Sequence, residues 1–354
     1  MSFEDRVREL AEDVAPLDAE AMAAARERHL TLTKPPGSLG RVEEVGARLA
    51  GICGECPPPV PESPAVLVCA GDHGVLARGV SPWPSEVTAA MVANFLSGGA
   101  AVNALARTVG GRVSVLDVGV AGDLPDHPLL RSAKVRRGTN DLSRGAAMSR
   151  EEAARAVLAG AHLAEELVES GGADLLATGD MGIGNTTAAA ALISSFTGRP
   201  ARETTGRGTG IDDATLALKT RVVEEALELH APDPKDPLGT LAALGGLEHA
   251  ALSGVVLAGA ALGVPVVLDG VVSNSAALVA RALAPDAVGY LFAGHRSAEP
   301  GASVALEALG LDPLLDLGMR LGEGTGALLA VPVVGGAARV LSEMATFSDA
   351  GIEG

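Results

Sequence analysis

From Ala65 onward the chain alternates short, near-continuous apolar runs with alanine-rich stretches of helical character. The runs AVLVCAGDHG, RVSVLDVGV, ADLLATGDMGIGN, VPVVLDG and VGYLFAGH each break into glycine and polar residues. A strand buried on both sides has no solvent face to keep polar, so runs of this kind linked by helices predict a parallel sheet covered on both faces. The fold class is therefore α/β. In such sheets ligands bind beyond the carboxyl ends of the strands, and four of the five runs carry Asp or His at that end.

The flanks read differently. Phe3, Val7, Leu10 and Val14 recur on one helical face, Asp18 is placed to cap a second helix running to about Arg28, and a third helix is expected from Arg41 to about Ala50. The loop KPPGSLG separates the second helix from the third, and CPPPVPESP (56–64) marks a linker. Beyond Ala298 the pattern is again mainly helical, so both chain ends are expected to pack together. The expected division is 1–60 and 298–354 as the two parts of a small helical unit, around a large α/β unit at 61–297. Ala250 to Leu268 carries no charge and is long enough for a membrane span. Gly263 and Pro265 interrupt it, which predicts a buried helix ending near Leu262 followed by a short strand.

Charge and composition exclude several functions. With 27 Lys+Arg against 44 Asp+Glu the net charge is −17, and five Phe, one Trp and one Tyr offer no base-stacking platform. Nucleic acid and anionic membranes are disfavoured as partners. Three cysteines make no disulfide framework, and the charged, amphipathic MSFEDRVRELAEDV does not resemble a signal peptide, so a cytoplasmic location is expected. Cys53 and Cys56 form a single CxxC without a second pair, read as coincidence. Asp72, His73, Asp269 and His295 lie at strand ends but lack HxxxH or HExxH spacing, so no metal site is expected.

Three motifs carry chemistry. GDMGIGNTT (179–187) follows a strand and opens a helix, placing free N–H groups where an anion can dock; a plain tight turn capped by Thr accounts for the same residues equally well. GRGTGIDD (206–213), with Lys219 within two helical turns of Asp213, brings cations into an acidic chain, where Arg207 and Lys219 could neutralise a phosphate or else lie on a solvated helix face. DLGMRLGEGTGA (316–327) sets Glu323 between two glycines, a carboxylate that becomes a candidate general base once a pocket partly desolvates it, although a carboxylate in a loop is more often simply solvated. The strand pattern also suits a nucleotide-dependent oxidoreductase, although GxGxxG is missing. A non-catalytic base-binding protein is a further alternative, and the presence of both Glu323 and Lys219 argues against it.

Taken together, KPPGSLGRVEE, GDHGV, SEVT with MVANFLSGGAAVN, GDMGIGNTT, GRGTGIDD, LDG, YLFAGHRSAEPG, LDLGMRLGEGTGA and MATF are collinear over nearly the whole chain. In this order they resemble the nicotinate-nucleotide:dimethylbenzimidazole phosphoribosyltransferase family. The resemblance implies a Rossmann-like parallel sheet with a small helical domain built from both chain ends, a homodimer, and a reaction without metal or cofactor. Its substrates would be nicotinate mononucleotide and 5,6-dimethylbenzimidazole. Position by position, Glu323 corresponds to the general base and Asp180 to a second active-site carboxylate. Gly182, Gly184, Asn185, Thr186, Arg207, Gly208, Thr209, Gly210, Lys219 and Arg320 correspond to the ribose-phosphate site. Ser81, Glu86, Asn94 and Leu321 correspond to the base pocket. One departure is Asp180 itself, where many relatives carry Glu, one methylene longer.

Overall fold

The computed structural model describes residues 1–352. Six strands form one sheet: β1 (Pro64–Gly71), β2 (Arg112–Gly119), β3 (Leu130–Ser132), β4 (Leu175–Met181), β5 (Val266–Leu268) and β6 (Leu291–Ala293). They lie in the order β3-β2-β1-β4-β5-β6 and every pairing is parallel. This is the strand order of the Rossmann fold, in which the chain reverses its direction of travel across the sheet between β1 and β4 and leaves a crevice there. The five apolar runs all became strands. β3 was not anticipated, because its three residues are exposed or half-buried and carry no apolar run.

Register shows how the faces are covered. Leu176 and its partner Val266 approach Gly259 of the helix Leu247–Ala261, whereas Val66, paired with Ala177, approaches Gly324 at the start of the helix Thr325–Glu343. Side chains alternate along a strand, so Ala177 and Leu176 point to opposite faces and the two helices cover opposite sides. The charge-free stretch from Ala250 resolves as expected into the end of the helix Leu247–Ala261 and then β5, both buried. The helix Thr325–Glu343 is itself long and apolar, with more than half of it buried against β4, β5 and the helix Arg41–Cys53.

The chain ends meet. Asp18 caps the helix Ala19–Thr31 by accepting from the Ala21 N–H at 2.8 Å. Ala21, Ala25, Ala47, Ala50 and Leu341 form a small second core, and Leu32 bridges to Thr346. Val45, Leu49 and Ile52 of the helix Arg41–Cys53 instead join the main core, so this helix ties the terminal helices to the sheet.

Backbone contact fixes the densest helix pair. A Cβ on Gly254 would stand 1.8 Å from the Val157 carbonyl oxygen, and one on Gly160 would stand 1.9 Å from that of Ala251. The helix Arg150–Glu165 therefore crosses Leu247–Ala261 with no room for a methyl group. Gly254→Ala is expected to lower stability by about 1–3 kcal/mol through overpacking, read as a reduced urea midpoint at unchanged slope.

Candidate active site

The turn leaving β4 is seated by its glycines. A Cβ on Gly182 would lie 2.2 Å from the Gly71 carbonyl oxygen, and Gly184 takes φ +96°, a left-handed conformation that a side chain resists. The turn thus rests on the end of β1 and hands directly into the helix Asn185–Thr197. The Ile183 N–H donates to the Thr88 hydroxyl at 3.1 Å, which pins the turn from the side. The first N–H groups of a helix lack partners within it, so this end presents donors and a partial positive charge.

Lys219 supplies a full charge at the same place. It stands on the helix Asp213–His230, is only 2% exposed, and its Nζ donates to the Thr186 hydroxyl (2.7 Å) and the Gly206 carbonyl (3.0 Å). Burial pushes its pKa down to about 8, partly opposed by the carboxylate of Glu299. Glu299 also staples the second glycine turn, its Oε1 accepting from the Gly208 N–H at 2.8 Å, while Arg320 donates to the Gly208 carbonyl at 2.6 Å. Arg207 spends its guanidinium within its own turn, on the Ile211 carbonyl and the Asp213 carboxylate.

Glu323 shares a cavity with these donors. Its backbone has φ +65° between Gly322 at +85° and Gly324 at +90°, three left-handed residues in succession. For a residue with a side chain that conformation costs about 1–3 kcal/mol, and such strain concentrates at functional sites. The Glu323 side chain is 6% exposed and its Oε2 has no hydrogen-bond partner among the described residues. Burial raises its pKa above the ordinary carboxylate value; the Val102 N–H pulls it down and the charge of Asp269 raises it further. Asp180 is pushed well above the usual range by burial first, then by Asp269 and Glu248, although the Asn185 amide donates to it at 2.9 Å.

One cavity contains Glu323, Asp180, Gly182, Gly184, Asn185, Thr186, Arg207, Gly208, Thr209, Lys219, Arg320, Ser81 and Leu321 in its lining. Gly210 lies just behind it, where a Cβ would stand 3.6 Å from Arg320. Glu86 and Asn94 are not in the lining. They sit on the helix Glu86–Leu96, whose buried face carries Thr88, Val92 and Phe95; a helix turns about 100° per residue, which leaves Glu86 and Asn94 on other faces. Sequence reasoning did not single out Glu299, Ser297, Ile211 or Gly270 to Val272, which also line the cavity. For Gly270 to Val272, Ser297 and Glu299 the one signal was position just after a strand run, as in LDG and AGHRSAEP, while Ile211 lies inside the GRGTGIDD motif.

Behind the Gly182 turn lies a second buried cluster. His73 Nε2 is 2.5 Å from Glu248 Oε1, and His249 Nδ1 is 2.9 Å from the same oxygen. Three donors this close invite comparison with a metal site. Two ligands of one tetrahedral zinc ion stand about 3.3 Å apart, given bonds of about 2.0–2.1 Å, so a 2.5 Å separation is that of a charge-assisted hydrogen bond. Burial opposes both charges, yet the histidines hold Glu248 down to about 2 and the Glu248 carboxylate raises His73. Asp72, the preceding residue, accepts from the Ala121 N–H at 2.8 Å and orders the loop after β2.

A Rossmann-type sheet with a helix N-terminus and buried lysine facing a desolvated carboxylate defines a nucleotide-binding, group-transfer enzyme. A family model described as phosphoribosyltransferase matches residues 14–352. The nicotinate-nucleotide--dimethylbenzimidazole phosphoribosyltransferase of Salinispora tropica is 58% identical, the match covering 96% of this chain and 97% of the relative. That of Chloroflexus aggregans is 57% identical over 96% of both chains. The crystal structure of the nicotinate-nucleotide-dimethylbenzimidazole phosphoribosyltransferase from Thermus thermophilus superposes with a TM-score of 0.91 at 50% identity, covering 96% of this chain and all of that one. The chain belongs to this phosphoribosyltransferase family.

Only the protonated form of Lys219 attracts an anion. With its pKa near 8, affinity for inorganic phosphate is expected to fall above pH 8, by up to about tenfold per pH unit for a one-proton requirement. Calorimetric titrations between about pH 7 and 9.5 measure this, and Lys219→Met should bind weakly at every pH. A flat profile in the unsubstituted protein would remove Lys219 from the anion site.

Proposed function

We propose that the enzyme transfers the phosphoribosyl group of nicotinate mononucleotide to 5,6-dimethylbenzimidazole, giving α-ribazole 5′-phosphate and nicotinate, in assembly of the cobalamin nucleotide loop. The observation that carries this reading is the placement of Glu323, desolvated and unpartnered at Oε2, in the same cavity as the helix N-terminus and Lys219. The relatives' names supply the substrate pair.

The chemistry suits these residues. In nicotinate mononucleotide the pyridine nitrogen is quaternary, so the glycosidic bond breaks without a general acid at the departing base. The electron pair of that bond stays on the pyridine nitrogen, and nicotinate leaves neutral at that atom. A benzimidazole nitrogen forms the new bond to the anomeric carbon, the ring becomes cationic, and its other N–H turns acidic. Glu323 takes that proton. Attack opposite the leaving nicotinate inverts a β-nucleotide to an α-ribotide. The Gly182–Thr186 turn and Lys219 hold the 5′-phosphate, and positioning of two ring systems about one ribose provides much of the acceleration.

Asp180 takes a different part. Burial, with Asp269 and Glu248 nearby, pushes its pKa up, and its Oδ2 accepts from the Asn185 amide on the first turn of the helix; its part is to orient the nucleotide, while Glu323 takes the proton. The enzyme acts as a homodimer, and the largely uncovered apolar helices between Glu86 and Thr108 offer a surface for the second copy.

Incubation with nicotinate mononucleotide and 5,6-dimethylbenzimidazole is expected to release nicotinate and to yield a product with the mass of α-ribazole 5′-phosphate. Absence of release under conditions where a relative is active refutes the proposal. Glu323→Gln keeps size and shape while removing basicity, and kcat should drop by about 10²-fold or more with an unchanged circular-dichroism spectrum. Near-normal turnover would strip Glu323 of the role of base.

A further inference from the structure

Asp269 ends the β5 run and is fully buried. Its Oδ2 accepts from the Gly324 N–H at 3.0 Å, and its Oδ1 accepts from Gly326 (2.7 Å) and Ala327 (3.2 Å). All three donors follow Glu323 directly, at the start of the helix Thr325–Glu343. That helix begins at Gly324 and has no side-chain cap of its own, so its cap is delivered from another strand, more than fifty residues earlier in the chain. Asp269 is itself held: its N–H donates to the Thr178 hydroxyl at 3.1 Å, and that hydroxyl donates to the Val267 carbonyl at 3.3 Å. On the far side the His295 ring presses on Gly326, where a Cβ would come within 1.9 Å of its Cδ2.

We propose that Asp269 is a positioning residue for the transfer reaction, clamping the Gly322–Ala327 segment so that Glu323 is kept in its left-handed conformation with its carboxyl in the cavity. This rests on Glu323 being the base. Three bonds to one carboxylate fix Gly324, Gly326 and Ala327, and the strained residue has nowhere to relax. A helix N-terminus capped in this way would serve stability alone in most proteins. Here the clamp adjoins the reacting group, and its negative charge also acts on that group. Asp269 raises the proton affinity of Glu323, after the larger effect of burial. The other titratable groups around the pair are Asp180 from β4, Glu248 from the helix Leu247–Ala261, and His295, two residues past β6, whose Nε2 is 3.5 Å from Asp269 Oδ1. Lys219, Glu299 and Arg320 line the cavity side.

The test is Asp269→Asn in the full chain, with steady-state kinetics for both substrates across pH. Asparagine retains an acceptor for Gly326 and Ala327, turns an N–H₂ toward the Gly324 N–H, and removes the charge. The expected result is a fall in kcat of about 10- to 100-fold, with both KM values within about threefold, and an acid limb of kcat moved to lower pH because Glu323 loses a neighbouring negative charge. A kcat within about twofold of the unsubstituted enzyme, or an unshifted acid limb, overturns the proposal; a purely structural cap would change the thermal midpoint without moving that limb. Glu323→Gln is measured in parallel. Near-normal turnover there overturns the base assignment itself, whereas loss of turnover there with an unaffected Asp269→Asn overturns only the clamp. If Asp269→Asn does not fold, Thr178→Val carries the test. It loosens Asp269 without touching the cavity lining, and kcat should fall about fivefold at constant KM; an unchanged kcat then overturns the clamp.

Discussion

Several buried carboxyl groups crowd the carboxyl edge of this sheet, among them Asp180, Glu248, Asp269 and Glu323. Like charges in a low-dielectric space cannot all ionise without compensation, and the molecule meets this constraint differently at each group. Glu248 is paired with His73, with the His249 ring 2.9 Å from the same oxygen. Asp269 is surrounded by three backbone N–H donors. Asp180 has its pKa pushed up, by burial first and then by its acidic neighbours, and accepts from the Asn185 amide. Glu323 has no salt-bridge partner, its Oε2 is unpartnered among the described residues, and burial raises its pKa, which is the setting that the proposed role of base calls for. Separation of roles among chemically similar groups thus follows from what each one touches.

The second constraint is distance. A Cβ on Gly179 would lie 2.7 Å from the Glu323 carbonyl oxygen, one on Gly324 would lie 2.5 Å from Val66, and one on Gly322 would lie 3.3 Å from the Asp180 carboxylate. The loop bearing Glu323, the proposed base, therefore lies backbone to backbone on β4, whose next turn is the proposed phosphate site. Two segments far apart in the chain become one rigid unit. Rigidity of this kind holds reacting groups in register, where a misplacement of about 1 Å can cost about 10²-fold in rate.

Much of this was legible in the sequence, and for a physical reason. Buried parallel strands must be apolar along their whole length, so AVLVCAG, RVSVLDVG and LLATGDM announced β1, β2 and β4, whereas the half-exposed LRS of β3 had no such requirement and gave no signal. Two glycine-rich turns, one after β4 and one before the helix Asp213–His230, marked the proposed anion site, because glycine takes the positive φ found at Gly184 and Gly208 without the cost a side chain adds. Lys219 and Glu323 stood out as a cation and an acid beside such turns. Glu299 did not, since its role depends on meeting Gly208 across more than ninety positions, and no local pattern encodes that contact. Glu86 and Asn94 show the converse. They share a helix with Thr88, which does reach the Gly182 turn, but rotation about the helix axis carries them elsewhere.

A chain of net charge −17 that binds a phosphate ester needs a local field stronger than its global one. Charges on the surface are screened over about 8 Å at physiological ionic strength, so most of the acidic surface contributes little inside the cavity. Lys219, 2% exposed and hydrogen-bonded to Thr186 on the first turn of the helix, acts from within the first few ångströms and through a medium of low polarisability. The helix N-terminus adds to it over the same short range. Keeping that lysine buried costs some of its basicity, and an arriving phosphate restores the favourable environment for its charge. The site is thus poorest for a cation when empty and best when filled, which makes ligand binding and lysine protonation mutually reinforcing.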